Sequence, residues 1–386
     1  MGGDGVMAKL GEVCKVSPST KSIERQGAWL LNLDMVEQQT GRVVEYNFVD
    51  EDGLNGSITQ FDTENVLYSK LRPNLNKVVL PERNGFCTSE LLPLRPDARK
   101  LDRSYLAVFL RSDGFVNWAV SKTAGAKMPR LGTKDLLNAN IPLPEIKEQK
   151  AIAEKFEKLE ELIFLRKQQL AKLDELVKAR FVEMFGDCKT NPKNWKTKAL
   201  EKIANVGSSK RVFVEELQDS GIPFYRGTEI GALAEKKAVK PELFITEEHY
   251  KQLCETTGKP QKGDLLMPSI CPDGRIWIVD TDEPFYFKDG RVLWVHLTSA
   301  NYNSVFLLYT LKDRIMTDYA SIASGTTFAE LKIFALKKCK VFDVPLELQN
   351  QFAAFVERVD QQKQTVQQSL DKLELMKKAL MQEYFG

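Results

Sequence analysis

Two stretches of the chain carry an apolar residue at every third or fourth position, with charged residues between them. One runs from 145 to 186 and the other from 345 to 386. A mean spacing of about 3.5 residues is that of a coiled-coil seam. The pattern therefore predicts two long helices, which begin after Pro144 and after Pro345, and the first of which ends at Gly186. The predicted seam consists of Ile152, Phe156, Leu159, Ile163, Leu170, Leu173, Val177, Phe352, Val356, Val359, Val366, Leu370, Leu373 and Leu380.

The second of these stretches is a copy of the first. At an offset of 200 residues, without gaps, 149–186 aligns with 349–386, and twelve of the 38 pairs are identical. The same offset pairs Gly125 with Gly325, so the duplication extends into the segments before the helices. Each helix could pack on the globule that precedes it, but the duplication favours pairing of the two helices with each other. Because a globular segment separates them in sequence, we expect the pair to be antiparallel.

The segments before the helices have the pattern of strand-rich domains. Apolar runs at 28–32, 66–68, 77–80, 275–279 and 292–295 alternate with turns rich in Gly, Pro, Asn and Asp. One helical stretch is predicted in each segment, at 103–121 and at 304–321. The predicted fold class is α+β, a tandem duplication of a strand-rich globule followed by a long helix, with the two helices forming an antiparallel coiled coil. The predicted domains are 1–144, 145–186, 187–344 and 345–386.

Charge is distributed unevenly along a chain whose net charge is only +2. Residues 34–64 include eight acidic side chains and one basic one, whereas 66–134 include thirteen basic and five acidic ones. A basic segment of this kind is typical of a surface that meets a polyanion such as DNA.

The usual signatures of catalysis are missing from the sequence. There is neither a phosphate-binding GxxxxGK[ST] nor a GxGxxG motif. The sequence NPKNW at 191–195 departs from the Asn-Pro-Pro-aromatic motif of amino-methyltransferases, and ELK at 330–332 lacks a well-spaced upstream aspartate that a nuclease would need. His249 and His296 have no counterparts in the other half and lie at no metal-ligand spacing from a cysteine. We therefore expect neither an active site nor a metal site.

Cellular location follows from the same kind of observation. No run of eighteen apolar residues is present, and the first ten residues lack a signal-peptide pattern. The six cysteines are scattered without a CxxC pair, as in proteins with reduced thiols. We expect a cytoplasmic protein.

Several motifs, in their order, resemble those of type I restriction–modification specificity subunits. IPLP at 141–144, EQKAI at 148–152, RFVEMFGD at 180–187 and NPKNW at 191–195 resemble the central conserved region of that family. The second copy, from Val344 through Gln349 to Gly386, resembles the distal conserved region, although it has VPLE at 344–347 where the first copy has IPLP at 141–144. Further resemblance lies in the two globular segments, at 29–33, 68–73, 222–227, 263–266 and 325–328.

The resemblance implies a protein without catalytic activity of its own. Each globule would read one half of a split, asymmetric target in double-stranded DNA, and the helices would act as a spacer that also docks two methyltransferase subunits. Restriction and translocase subunits would join the full complex. S-adenosylmethionine, ATP and Mg²⁺ would be bound by those partners. The alternative is a DNA-binding or scaffold protein with a coiled-coil spacer and no methyltransferase partner.

Residues that contact DNA should combine cations for phosphates with amides, hydroxyls or guanidinium groups for base edges. Candidates in the first globule are Lys70, Arg72, Asn74, Asn76, Lys77, Lys122, Lys127 and Arg130. Candidates in the second globule are Lys210, Arg211, Arg226, Ser269, Arg275, Thr326 and Thr327.

Overall fold

The computed structural model describes residues 6–21, 23–125, 127–324 and 329–386. The chain divides into two compact units. The first comprises Met1–Gln169 together with Val366–Gly386, and the second comprises Leu170–Thr365. The candidates Thr326 and Thr327 lie outside the described residues.

The first unit contains a strand-rich globule and the beginning of a long helix. Its elements are β1 (Met7–Lys9), α1 (Leu10–Val13), β2 (Cys14–Val16), β3 (Ala28–Leu31), β4 (Asn47–Val49), β5 (Ile58–Phe61), β6 (Val66–Ser69), β7 (Val78–Val79), β8 (Gly85–Thr88), β9 (Leu91–Pro96), α2 (Arg103–Leu110), α3 (Asp113–Ser121), α4 (Thr133–Leu137), β10 (Asn140–Pro142) and α5 (Ile146–Phe185). One sheet has the order β2-β9-β6-β7 and a second has the order β4-β3-β8-β5, while β1 pairs with β10. Short 3₁₀ turns lie at Leu33–Met35, Glu51–Gly53 and Pro73–Leu75.

The helical stretch predicted at 103–121 is present, but it consists of two helices with a break at Ser112. Asp102 begins α2 by accepting hydrogen bonds from the backbone N–H groups of Ser104 and Tyr105. At Ser112 the chain is extended, and the hydroxyl of this residue accepts from the N–H of Phe115, which starts α3. A serine inside an apolar stretch was the sequence signal for this break.

The second unit contains the other globule. Its elements are β11 (Thr197–Ala199), β12 (Ala204–Gly207), β13 (Ile222–Tyr225), α6 (Gly227–Ala234), β14 (Phe244–Ile245), α7 (Glu247–Thr257), β15 (Leu265–Pro268), β16 (Trp277–Ile278), β17 (Tyr286–Phe287), β18 (Val292–Leu297), α8 (Ser304–Ile322), β19 (Ala323–Ser324), β20 (Glu330–Leu331), α9 (Ile333–Lys337), β21 (Lys340–Phe342) and α10 (Leu346–Phe385). Short 3₁₀ turns lie at Leu200–Lys202 and Val214–Glu216.

The duplication seen in the sequence is also a duplication of sheet topology. The order β12-β18-β15-β16 repeats β2-β9-β6-β7, the pair β11-β21 repeats β1-β10, and the parallel pair β13-β17 repeats β3-β8. The two globules differ in the segment that follows the first strand of this parallel pair. Between β13 and β15 the second globule has the helices α6 and α7 as well as β14, whereas the first globule has the strands β4 and β5 between β3 and β6. The prediction of a single helical stretch in the second globule is therefore wrong.

The long helices pair in antiparallel fashion within each unit, which confirms the predicted fold class. In the first unit the ammonium group of Lys155 donates to the hydroxyl of Tyr384 at 3.0 Å, and Glu160 pairs with Lys377 at 2.8 Å. In the second unit Asp174 pairs with Lys363 at 2.6 Å. As residue numbers increase along α5, the numbers of their partners on α10 decrease, as they do in an antiparallel pair. In the predicted seam Ile152, Phe156, Leu159, Val177, Phe352, Val356, Val359, Val366 and Leu370 are buried, and Ile163, Leu170, Leu173, Leu373 and Leu380 are partly buried.

Each globule receives the start of one helix and the end of the other. Phe185, at the end of α5, is fully buried, and its ring lies 4.8 Å from that of Phe306 and 5.6 Å from that of Phe352. At the end of α10, Phe385 lies 5.4 Å from Tyr105. The identical Phe-Gly endings therefore serve the same purpose in both copies. The long helices therefore pack on the globules and also pair with each other, so both alternatives left open by the sequence occur together.

A buried glutamine anchors the start of each long helix. Gln149 donates to the carbonyl groups of Lys100 and Pro144, and its side-chain oxygen accepts from the N–H of Asp102. Gln349 makes the equivalent three bonds, to Asn301, Val344 and Asn303. Both glutamines are fully buried, so their amides satisfy loop groups that water cannot reach.

The NPKNW sequence forms the cap at the end of α5. The indole N–H of Trp195 donates to the carbonyl of Phe185, and Lys193 donates to the carbonyl groups of Glu183 and Met184. Gly186 has a φ of +86°, and a Cβ there would lie 2.9 Å from Pro192. The likeness to a methyltransferase motif is thus explained by helix capping.

Among the described residues, no helix has both the length and the apolar character needed to cross a membrane.

Candidate nucleic-acid interface

Two distant loops of the first globule form one surface that holds most of its candidate residues. The backbone N–H of Arg72 donates to the carbonyl of Pro129, and the N–H of Leu131 donates to that of Lys70. These bonds place the 70–77 loop beside the 122–131 loop. We call this surface, formed by the 70–77 and 122–131 loops, the first reading surface because it holds these DNA-contact candidates. Its exposed candidates are Arg72, Asn74, Lys122, Lys127 and Arg130, and Lys70 is partly buried.

Arg130 is held in place by a carboxylate at the edge of this surface. Its guanidinium group donates to Glu90 at 3.0 and 3.3 Å. Hydrogen bonding to Arg130 lowers the pKa of Glu90, and the charge of Lys70 adds to the effect. Glu90 therefore stays ionised and orients Arg130, while Arg72, Lys122 and Lys127 have no ion pair among the described residues.

Two candidates in the first globule have structural roles. Asn76 is buried, adopts a φ of +52°, and its amide donates to the carbonyl of Arg111 at 3.0 Å. The ammonium group of Lys77 donates to the carbonyl of Leu33, and partial burial lowers its pKa. Both bonds fix the 70–77 loop from below, which favours support of the surface over direct contact with DNA.

The second globule repeats this arrangement with different side chains. The N–H of Leu331 donates to the carbonyl of Ser269, as that of Leu131 does to Lys70. The N–H of Ser269 donates to the carbonyl of Arg291, as that of Lys70 does to Glu90. Ser269 itself is buried and occupies the position of Lys70. The second reading surface therefore has the same backbone framework, formed by the loops that contain Ser269 and Leu331.

The ion pair that crosses the two loops is reversed between the copies. Where the first globule has Glu90 and Arg130, the second has Arg291 paired with Glu330. Lys332 lies 3.4 Å from Glu330 as well. None of these three second-copy residues was among the DNA-contact candidates from the sequence. The signal was present in the repeat, since the two pairs lie about 200 positions apart.

The remaining candidates in the second globule differ in how free their cations are. Lys210 and Arg211 are exposed, and the guanidinium carbon of Arg211 lies 5.6 Å from the ring centre of Phe213. Arg226 is occupied by Glu229 and Glu242. Although burial alone would raise the pKa of Glu229, hydrogen bonds from Arg226 and Thr228 lower it to about 2.

Arg275 is also close to an acidic partner. Its Nε lies 2.8 Å from a carboxylate oxygen of Asp273, although the N–H does not have the direction of a hydrogen bond. Within the described part of the chain, Lys210 and Arg211 are consequently the candidates of this globule whose side chains make no ion pair. Across the described residues, no cluster of three or more His, Cys, Asp or Glu side chains could hold a metal ion.

Comparison with known proteins gives a family match over most of the chain. The sequence model for the type I restriction modification DNA specificity domain matches residues 6–175 and again 192–375. The EcoDI specificity subunit of Escherichia coli is 30% identical over 124 residues, which is 32% of this chain and 27% of that protein. The MjaVIII specificity subunit of Methanocaldococcus jannaschii is 23% identical over 323 residues, 78% of this chain and 73% of that protein.

A solved structure shares the fold at low sequence identity. It is a chain from work on complex assembly and conformational transition of the type I restriction–modification system, with a TM-score of 0.60 and 18% identity. The alignment covers 99% of this chain and 98% of the other.

Two α+β globules with the same loop framework and a pair of long antiparallel helices define a duplicated protein, each half of which matches a DNA specificity domain. The chain belongs to the family of type I restriction–modification DNA specificity domains, because that family matches both of its halves.

Proposed function

We propose that the chain reads a bipartite, asymmetric target in double-stranded DNA, with one half of the target contacted by each globule. The observation that carries the proposal is the repeated pair of loops. The same backbone bonds support different side chains in the two copies, with Lys70 replaced by Ser269 and the Glu90–Arg130 pair reversed as Arg291–Glu330. A shared framework with different base-facing chemistry is expected of two readers that recognise different sequences.

The proposed domains are those of the sequence pattern, with reading domains at 1–144 and 187–344 and helical regions at 145–186 and 345–386. The helices would determine the number of unspecified base pairs between the half-sites, because a helix of 40 residues extends roughly 60 Å. Cation-rich loops would hold phosphates and fix the register of each reader.

The helices would also dock two methyltransferase subunits. Leu176 and Met376 are equivalent at the offset of 200, and their side chains are 47% and 55% exposed. One equivalent apolar residue in each unit gives two similar sites, as two copies of one partner require. S-adenosylmethionine would be bound by those partners, and ATP and Mg²⁺ by the restriction and translocase subunits. A complex of this kind acts on DNA in the cytoplasm.

The test combines the chain with the methyltransferase subunit of the same host and a pool of random duplex DNA. Multi-angle light scattering is expected to give a complex of one chain with two methyltransferases. The bound duplexes should contain two defined sequences with a constant gap. If the chain binds DNA but stays at its free mass with the methyltransferase, the alternative of a coiled-coil-spaced DNA-binding protein without that partner is correct.

A further inference from the structure

The second globule contains an Asp–His–Trp cluster that the reading surfaces do not use. The carboxylate of Asp264 is buried and accepts three hydrogen bonds. The donors are Nδ1 of His296 at 2.8 Å, the indole N–H of Trp294 at 2.8 Å and the N–H of Gln261 at 2.9 Å. Because an ionised carboxylate only accepts, it fixes the His296 proton on Nδ1 and leaves Nε2 as an acceptor when the ring is neutral.

Trp294 and His296 of this cluster line an open cavity of about 410 Å³. The walls are strand β12, the end of α7 and the strand β18 that carries both aromatic rings. The lining includes Asn205, Lys259, Trp294 and His296. None of these described lining residues is acidic, and Lys259 is exposed at the rim. The cavity therefore offers an aromatic ring, an imidazole and a cation to an anionic ligand.

The equivalent place in the first globule holds an ion pair. Arg95 occupies the strand position of His296, since Arg95 lies opposite Lys15 as His296 lies opposite Asn205. Arg95 pairs with the buried carboxylate of Asp62 at 2.8 Å, and Ser19 donates to the same carboxylate. The guanidinium group of Arg95 is therefore already paired within the protein, whereas Nε2 of His296 has no hydrogen-bond partner among the described residues. The two copies therefore differ here, with an ion pair in the first globule and a histidine beside a cavity in the second.

We propose that this cavity binds a single nucleotide. The base would stack on Trp294, its edge would meet His296 and Asn205, and the phosphate would lie near Lys259. Stacking on an aromatic ring accepts any base, and phosphates are bound by lysine side chains. A volume of about 410 Å³ lies within the usual range for small-ligand sites. The nucleotide is either free or part of a single strand.

The chain offers a direct spectroscopic test, because it has two histidines. Selective ¹³C labelling of the imidazole Cε1 gives one resonance for each, and His249→Gln assigns them. The probes are thymidine monophosphate, thymidine, inorganic phosphate and a short oligothymidylate. We expect thymidine monophosphate to move the His296 resonance to saturation, at concentrations about tenfold lower than thymidine or phosphate requires. The His249 resonance should stay in place.

Variants of two exposed lysines provide a matched comparison without threatening the fold. Lys259→Glu should weaken the titration by about tenfold, whereas Lys251→Glu, the same charge change at an exposed position of α7, should leave it unchanged. Trp294→Leu should abolish the preference for the nucleotide over phosphate. Tighter binding of the oligothymidylate than of the monophosphate assigns the site to a single strand, and the opposite order assigns it to a free nucleotide.

Three results would overturn the inference. They are an unmoved His296 resonance with every probe, an equal response to phosphate and to the monophosphate, and equal behaviour of the two lysine variants. The inference is independent of the proposed function, since neither duplex DNA nor a partner subunit enters the measurement. A chain that reads no bipartite target could still bind the nucleotide, and the reverse also holds.

Discussion

Reversing the charge of Arg130 tests whether the cross-loop ion pair supports the first reading surface. Its side chain is 45% exposed and that of its partner Glu90 is 27% exposed, so water screens the attraction in part. A partly exposed pair with two hydrogen bonds is worth about 1 kcal/mol. Arg130→Glu removes it and adds repulsion between two carboxylates, so the free energy of unfolding should fall by roughly 1–2 kcal/mol.

The second globule shows how the loss can be repaired. Arg291 and Glu330 make the same contact with the charges exchanged. The double variant Glu90→Arg/Arg130→Glu should therefore recover most of the stability that either single variant loses. In a double-mutant cycle measured by urea unfolding, we expect a coupling energy of about 1 kcal/mol that declines as salt is added.

The control is Lys134→Glu, the same change at an exposed lysine of the same domain that has no ion pair among the described residues. It should shift the free energy of unfolding by less than about 0.5 kcal/mol. If the losses of the two single variants simply add in the double variant, the pair does not interact and the reasoning from the repeat is refuted.

Three further predictions concern the helices and the core. Phe185→Ala should lower the free energy of unfolding by about 3–5 kcal/mol, because it removes a fully buried ring from a packed aromatic cluster, and Phe385→Ala should lower it by less, because that ring is only partly buried. A loss below about 1 kcal/mol for Phe185→Ala in urea unfolding would contradict that packing. Leu176→Glu or Met376→Glu should each reduce the bound methyltransferases from two to one by light scattering, and retention of both would remove these residues from the docking site. Hydrogen bonds outweigh burial and lower the pKa of Asp62, so its ionised form adds stability above the unfolded pKa of about 3.9. Asp62→Asn should thus be most destabilising at pH 7, and its cost should shrink only as the pH falls below about 3.9 towards the lowered folded pKa. A cost that is equal at pH 5 and at pH 2 would exclude this cause.

The sequence predicted the long helices well because their pattern is local and repeated. An apolar seam, flanking prolines and a terminal glycine identify α5 and α10 to within one or two residues. The break at Ser112 was missed because a single serine does not clearly interrupt the apolar period around it. The helices α6 and α7 were missed because their apolar residues do not sustain a helical period.

The candidate DNA contacts were harder to predict for a different reason. Residue type shows that Arg226 is a cation, but it does not show that Glu229 and Glu242 already occupy it. Similarly, Asn76 and Ser269 have suitable chemistry yet are buried in the fold. Whether a polar side chain is free depends on partners that are distant in sequence, whereas the repeat could have identified the reversed pair of Arg291 and Glu330.

The most direct test of the central claim is a map of methylated adenines in cells that express the chain with its methyltransferase. The proposed function predicts two short, different sequences separated by a constant gap. Replacing the exposed residues of the 70–77 and 122–131 loops should change one of these sequences and leave the other sequence and the gap intact. A continuous target, or a change in both halves after altering the first globule alone, would contradict the assignment of one reader to each globule.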